Sequence, residues 1–133
     1  MALTHFKDLV VWQIAMQLAK QVYQLTAEFP SNERYGLSAQ LQRSAVSIPS
    51  NIAEGNARGS TKDYARFVAY AQGSCAELQT QLLLARELGV ANHELCNGPL
   101  ATCDRVGQML LRLHQSLARR LKAESRVPSP ESR

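Results

Sequence analysis

Gln40-Leu41-Gln42-Arg43-Ser44-Ala45-Val46-Ser47-Ile48-Pro49-Ser50-Asn51-Ile52-Ala53-Glu54-Gly55 is the stretch on which the fold turns. Leu41, Ala45, Ile48 and Ile52 recur at three-four spacing, the period of one helix face. Arg43, Ser47, Asn51 and Glu54 recur on the opposite face. Pro49 sits between them, where it removes one backbone donor and crowds the carbonyl of Ala45. Both stripes stay in phase through it, so the spacing predicts one kinked helix over about Asn32 to Glu54 rather than two helices. Ser47 and Ser50 are placed to satisfy freed backbone groups, and Gly55 is the expected C-terminal cap.

Working outward, the chain divides into three more helical segments. Upstream, helix 1 is expected from about Leu9 to Glu28 with Asp8 as N-cap; Phe29-Pro30 ends it. It carries two apolar stripes, Leu9-Trp12-Met16-Ala19-Tyr23 and Val11-Ile14-Leu18-Val22-Leu25, and only a narrow polar one, Gln13-Gln17-Lys20-Gln24. A helix of an isolated bundle usually shows a broader polar face, so the second apolar stripe, Leu18 and Val22 in particular, is expected to form a subunit contact. Downstream, Ser60 and Asp63 make a capping-box variant that opens helix 3. Tyr64, Phe67, Val68, Ala71, Cys75, Leu78 and Leu82 trace its core stripe. Gly73 costs a helix about 1 kcal/mol relative to Ala, so a close-packing role is expected there, and Gly89 ends the helix. Helix 4 keeps a three-four rhythm from Leu100 through Leu121 to about Lys122. It starts either at an Asn92 cap with a bend at Gly98-Pro99, or at Pro99. The expectation is an all-α, antiparallel, up-and-down four-helix bundle over residues 1–124, with a disordered polar tail over 125–133.

Bulk properties fit that picture. The chain has 133 residues, 45% hydrophobic and 20% charged, enough for one domain with its own core. Aromatics are 6%, so aliphatic side chains and alanine must fill the interior. No apolar run reaches the roughly 18 residues of a membrane span, and the first residues show no secretion pattern; a cytoplasmic location is the default. Three cysteines, Cys75, Cys96 and Cys103, do not make a disulfide framework. They read as buried small side chains; a zinc site from His93, Cys96 and Cys103 lacks both a CxxC and an evident fourth ligand.

The search for chemistry gives no catalytic or cofactor site. There is no Glu-x-x-His pair of the kind metal-binding bundles use. Gly55 to Lys62 has two glycines but not the spacing, the Gly-Lys-Ser/Thr or the preceding strand of a phosphate loop. No small-molecule substrate or metal is implied, and no nucleophile–base arrangement accompanies the Arg43-Ser47-Asn51-Glu54 face. That face is open to three readings: a subunit contact, a partner contact or a solvated surface.

The net charge of +4 permits an anionic partner. Arg58, Lys62 and Arg66 cluster where helix 3 begins and free backbone N–H groups favour anions. Arg105, Arg112 and Arg119 recur every seven residues on helix 4, each step about 10.5 Å. Such a row can follow a phosphate backbone, or simply be a solvated face. No aromatic-rich recognition surface is visible, so specificity from base stacking is not expected.

The Gln40–Gly55 run, with Tyr35-Gly36-Leu37 before it, resembles the bacterial four-helix-bundle proteins encoded in intervening sequences of 23S rRNA genes. Phe6-Lys7-Asp8-Leu9-Val10-Val11-Trp12, Gly73-Ser74-Cys75-Ala76-Glu77-Leu78 and the leucine-rich last helix are similar too, so the resemblance covers about residues 6–122. It implies a four-helix bundle that assembles into a ring-like homopentamer, and a connection to RNA or the ribosome. Similar proteins also serve as accessory partners of reverse transcriptases, which implies a protein partner as the alternative to RNA.

Overall fold

The computed structural model describes residues 5–33 and 35–126. Four helices carry the fold: α1 (Val10–Thr26), α2 (Leu37–Ala57), α3 (Thr61–Glu87) and α4 (Asn97–Arg126). Short 3-10 turns lie at Phe6–Asp8, Ser31–Glu33 and Glu94–Cys96, and no strand occurs among the described residues.

Local chemistry sets the boundaries. Asp8 does not cap α1; it closes the first 3-10 turn, and Leu9 is the N-cap without a side-chain bond. The Leu9 N–H is already used, donating to the Phe6 carbonyl at 3.0 Å. α2 begins at Leu37, five residues later than the apolar pattern suggested, because Ser31–Glu33 winds as a separate turn and Gly36 has a backbone conformation outside the helix. It runs unbroken through Pro49 to Ala57, so Gly55 lies inside it rather than capping it. The chain reverses instead at Gly59, whose φ of +84° suits glycine. Ser60 caps α3 as expected, its side chain accepting from the Asp63 N–H at 3.1 Å, and Gly89 at φ +68° ends that segment.

The two expected starts of α4 are each partly realised. Asn92 accepts from the Glu94 N–H at 2.8 Å, but it opens the 3-10 turn; α4 itself begins at Asn97. Pro99 therefore sits in the first turn, where its missing N–H costs nothing. At the other end α4 continues to Arg126, two residues into the segment expected to be a tail; residues 127–133 of that segment lie outside the described residues.

Each helix packs on its chain neighbours and α1 closes the ring against α4, while the diagonal pairs make little contact. Ser47 meets Ser74, and Gly55 meets Tyr64 and Phe67, so residue numbers rise along α2 as they fall along α3. Thr61 meets Glu124 and Cys75 meets Cys103, which gives α3 and α4 opposite directions too. The interior is aliphatic: Leu18, Val22, Leu41, Ile48, Ile52, Val68, Leu78, Leu82, Val106, Leu110 and Leu117 are fully enclosed.

That list overturns one expectation. Leu18 and Val22 are 0% exposed within the single bundle, so they hold the chain's own core and are not a subunit contact. The other α1 stripe is the one left at the surface, with Met16 38% and Tyr23 50% exposed and Trp12 and Ala19 only partly covered. The sequence shows two apolar stripes about equally strong; which of them faces α2 and α4 depends on the helix's rotation, which spacing does not fix.

Candidate nucleic-acid interface

The short α2–α3 connection brings three cations to one end of the bundle. Arg58, the α2 C-cap residue, is paired with Glu54 at 2.9 Å one turn back. Arg66 is paired with Asp63 at 3.1 Å. Lys62 is exposed. Both guanidiniums also lie within cation–π range of one ring, Arg58 at 5.0 Å and Arg66 at 5.3 Å from the Phe67 centroid. Phe67 in turn meets the exposed Tyr70 edge-on at 5.4 Å.

This small aromatic-cationic group was not foreseen. Phe67 reads from its spacing as a core residue, yet it is only partly buried and forms the platform under two arginines. Tyr70, three residues on, was the available signal, because its position on the same face as Phe67 follows from helical spacing.

α4 delivers its last turns to the same end. Thr61 Oγ1 donates to Glu124 Oε1 at 3.0 Å, joining the start of α3 to the end of α4. Tyr64, in the first turn of α3, packs against Gly55 of α2. Burial holds its hydroxyl above the usual tyrosine range, opposed by a hydrogen bond with Asn56 and by the positive charge of Arg120. Arg105, Arg112 and Arg119 are all exposed, and none is in an ion pair among the described residues. These three share the outer side of α4, away from buried Cys103, Val106, Leu110 and Leu117, with Arg105 about 21 Å back from Arg119. The α4 cation next to the α2–α3 end is Arg120, whose charge acts on Tyr64.

The Arg43-Ser47-Asn51-Glu54 face splits in two. Ser47 and Asn51 are half-buried and bonded: Ser47 Oγ to Ser74 Oγ at 2.7 Å, and Asn51 Nδ2 donating to the Ser47 carbonyl at 2.8 Å and to its Oγ at 3.0 Å. Their cross-helix partner comes from α3, within the same chain. Glu54 is exposed and takes its partner from its own helix, Arg58. Arg43 is exposed and borders a shallow polar groove of about 270 Å³ between α2 and α3, with Gln40, Ser44, Glu77 and Gln81. Gln81 Oε1 is buried there without a hydrogen-bond partner.

The three cysteines are buried and free, and Cys75 and Cys103 face each other. No helix among the described residues is long and apolar enough to cross a membrane.

Comparison with known proteins adds the following. Residues 7–112 match the family described as 23S rRNA-intervening sequence protein. No curated protein matches the chain. Among solved structures, the chain is similar to a protein of unknown function from the S23 ribosomal protein family of Bacteroides thetaiotaomicron. The TM-score is 0.71 at 19% identity, over 79% of this chain and 98% of that one. At that identity the likeness is one of fold.

Proposed function

This chain belongs to the 23S rRNA-intervening sequence protein family, and on that premise we propose that it is a non-catalytic, homo-oligomeric module that binds structured RNA through phosphate contacts. The observation that supports this reading is the exposure of two cation groups on one bundle, Arg58, Lys62 and Arg66 at the α2–α3 turn and the Arg105-Arg112-Arg119 row on the outer side of α4, with the start of α3 joined to the end of α4 by Thr61 and Glu124. The α4 row is free of carboxylate partners among the described residues, so no ion pair must be broken before a phosphate is bound. Arg58 and Arg66 must exchange Glu54 and Asp63 for phosphate, a small loss because surface pairs of this kind contribute only about 0.5 kcal/mol. Tyr70 beside Phe67 offers an exposed ring on which one unpaired base can stack.

Filter binding to rRNA fragments and to an unrelated RNA, over a salt series, tests this. Binding should weaken steeply as salt rises. Replacing Arg105, Arg112 and Arg119 by Gln should lower the slope of log K against log salt by roughly 2 for each subunit that engages the RNA, about 0.7 for each lost contact to a single strand and somewhat more for a duplex. Undetectable binding at low salt, or an unchanged slope in the triple variant, would reject it.

The rival reading is an accessory subunit that binds a protein partner through the α2–α3 face. The polar groove beside Arg43 favours it, since Arg43 and Glu77 stand exposed at its rim and Gln81 Oε1 has no partner within. Loss of partner capture in Arg43→Ala, with RNA binding absent from the start, would select that reading.

A further inference from the structure

Cys75 of α3 and Cys103 of α4 meet across the helix interface with their sulfurs 3.6 Å apart. Each sulfur also approaches the other residue's carbonyl, at 3.4 Å from Cys75 Sγ and 3.5 Å from Cys103 Sγ. This reciprocal contact means the two backbones come close at the same level. Gly107, one turn further along α4, borders the pair: a Cβ there would make an ordinary contact, 3.6 Å from Cys75 Sγ. A disulfide requires the sulfurs to close from 3.6 Å to roughly 2.05 Å, a movement of the order that side-chain rotation supplies.

The pair is enclosed but not sealed. Both sulfur-bearing residues line an open groove of about 330 Å³ between α3 and α4, bordered by Gln72, Gln79, Gln108 and Leu111. Cys75 is the more accessible, at 6% against 1% for Cys103. Cys96 is buried in the 3-10 turn just before α4 begins, close to Arg86, and is not part of the pair.

We propose that Cys75 and Cys103 form a reversible thiol–disulfide site, oxidised by a low-molecular-weight disulfide, that clamps α3 to α4. The Cys75 thiolate attacks one sulfur of the small disulfide, whose S–S bond breaks and releases one thiolate, leaving a mixed disulfide on Cys75. Cys103 then gives its proton to the released thiolate and its own thiolate attacks the Cys75 sulfur, expelling the second small thiolate, which takes up from water the proton that Cys75 lost on ionising. Two protein thiols and one small disulfide become one protein disulfide and two small thiols. Cys75 is the first attacker because it faces the groove and because the Cys103 thiol, hydrogen-bonded to it, holds the Cys75 thiol below the usual range; the same contact, with burial, pushes Cys103 up. The attacking species is the thiolate, so this ordering of the two thiols favours the sequence given.

The experiment uses the full chain, fully reduced and then equilibrated in glutathione buffers of rising oxidised share. Free thiols are trapped by alkylation after an acid quench, and the peptides are mapped. The expected result is an intramolecular Cys75–Cys103 cross-link with Cys96 alkylated, reversed by dithiothreitol. Oxidation should raise Tm by roughly 10 °C, as a link closing a loop of this length implies. Cys96→Ser should behave like the parent chain, and Cys75→Ser should show neither link nor shift. The proposal is overturned if the folded parent chain forms no such link in oxidising buffer, if the link forms only in denaturant, or if Cys75→Ser shows the same Tm rise. The peptide map of the parent chain decides the matter even if Cys75→Ser fails to fold.

Discussion

Two glycines show what a single methyl group decides. A Cβ on Gly55 would come within 2.7 Å of Phe67 Cβ and 3.3 Å of the Tyr64 carbonyl, so the missing side chain is what lets α2 and α3 close together. Gly55→Ala should therefore destabilise the fold by about 1–3 kcal/mol despite the better helix propensity of alanine. A Cβ on Gly73 would meet nothing within 4 Å. The close-packing role its sequence position suggested is absent, and Gly73→Ala should stabilise by about 1 kcal/mol. Denaturant midpoints at constant m-value measure both; equal shifts of one sign would refute the distinction. Tyr64 gives a third reading at this scale. Its raised pKa means the folded state keeps that proton longer than the unfolded chain, so its contribution is complete below the ordinary tyrosine pKa of about 10 and is lost as pH rises through the folded value. Ultraviolet titration of phenolate should lose its most alkaline component in Tyr64→Phe, and the stability of that variant should fall less at high pH than that of the parent.

Helices α1 and α2 mark how far periodicity carries. The in-phase stripes of α2 were enough to show one helix through Pro49, because a break there would have shifted Ile52 off the face of Leu41, Ala45 and Ile48. Capping chemistry was equally legible at Ser60, where a hydroxyl and a backbone N–H are neighbours in sequence. What spacing could not give was rotation about the axis. α1 has apolar residues on most of its surface, and only the positions of α2 and α4 decide that Leu18 and Val22 point inward. The basic site was half legible for the same reason. Local groups such as Arg58-Lys62-Arg66 can be seen in sequence, but their closeness to the end of α4 rests on the bond between Thr61 and Glu124, 63 residues apart. Two expectations follow for these elements. Leu18→Ala should cost about 2–5 kcal/mol, the range for emptying an enclosed leucine site, with no change in particle mass below the unfolding transition. A double-mutant cycle on Ser47→Ala and Ser74→Ala should give a coupling of about 0.5–1.5 kcal/mol, since removing one hydroxyl leaves the other half-buried without its partner. A coupling near zero would mean that water replaces the bond freely.

At the scale of the whole molecule, the question is what covers the apolar surface that one bundle leaves open. Met16 and Tyr23 lie one above the other on α1, 38% and 50% exposed, with Trp12 and Ala19 continuing the stripe. Tyrosine and methionine on such a strip are common where subunits meet, and the narrow polar face of α1 leaves no room to shield them by side-chain reach alone. Assembly through this stripe is the expected outcome. Light scattering at micromolar concentration should give a mass several times the 14.7 kDa of one chain. Met16→Glu with Tyr23→Glu should return it to a single chain while circular dichroism stays helical, because neither residue belongs to the enclosed core. The contrast with Leu18→Glu makes the test specific: that change puts a carboxylate into a site with no exposure, where an unpaired charge costs several kcal/mol, and should unfold the bundle instead of dissociating it. A parent chain that is already monomeric, or a double variant of unchanged mass, would remove α1 as the contact. Assembly would also bear on RNA binding, since repeating the Arg105-Arg112-Arg119 row on each subunit multiplies the phosphate contacts available to one RNA. The monomeric double variant should then keep the intrinsic salt dependence of one subunit while losing affinity by roughly tenfold or more, as expected when several linked sites become one.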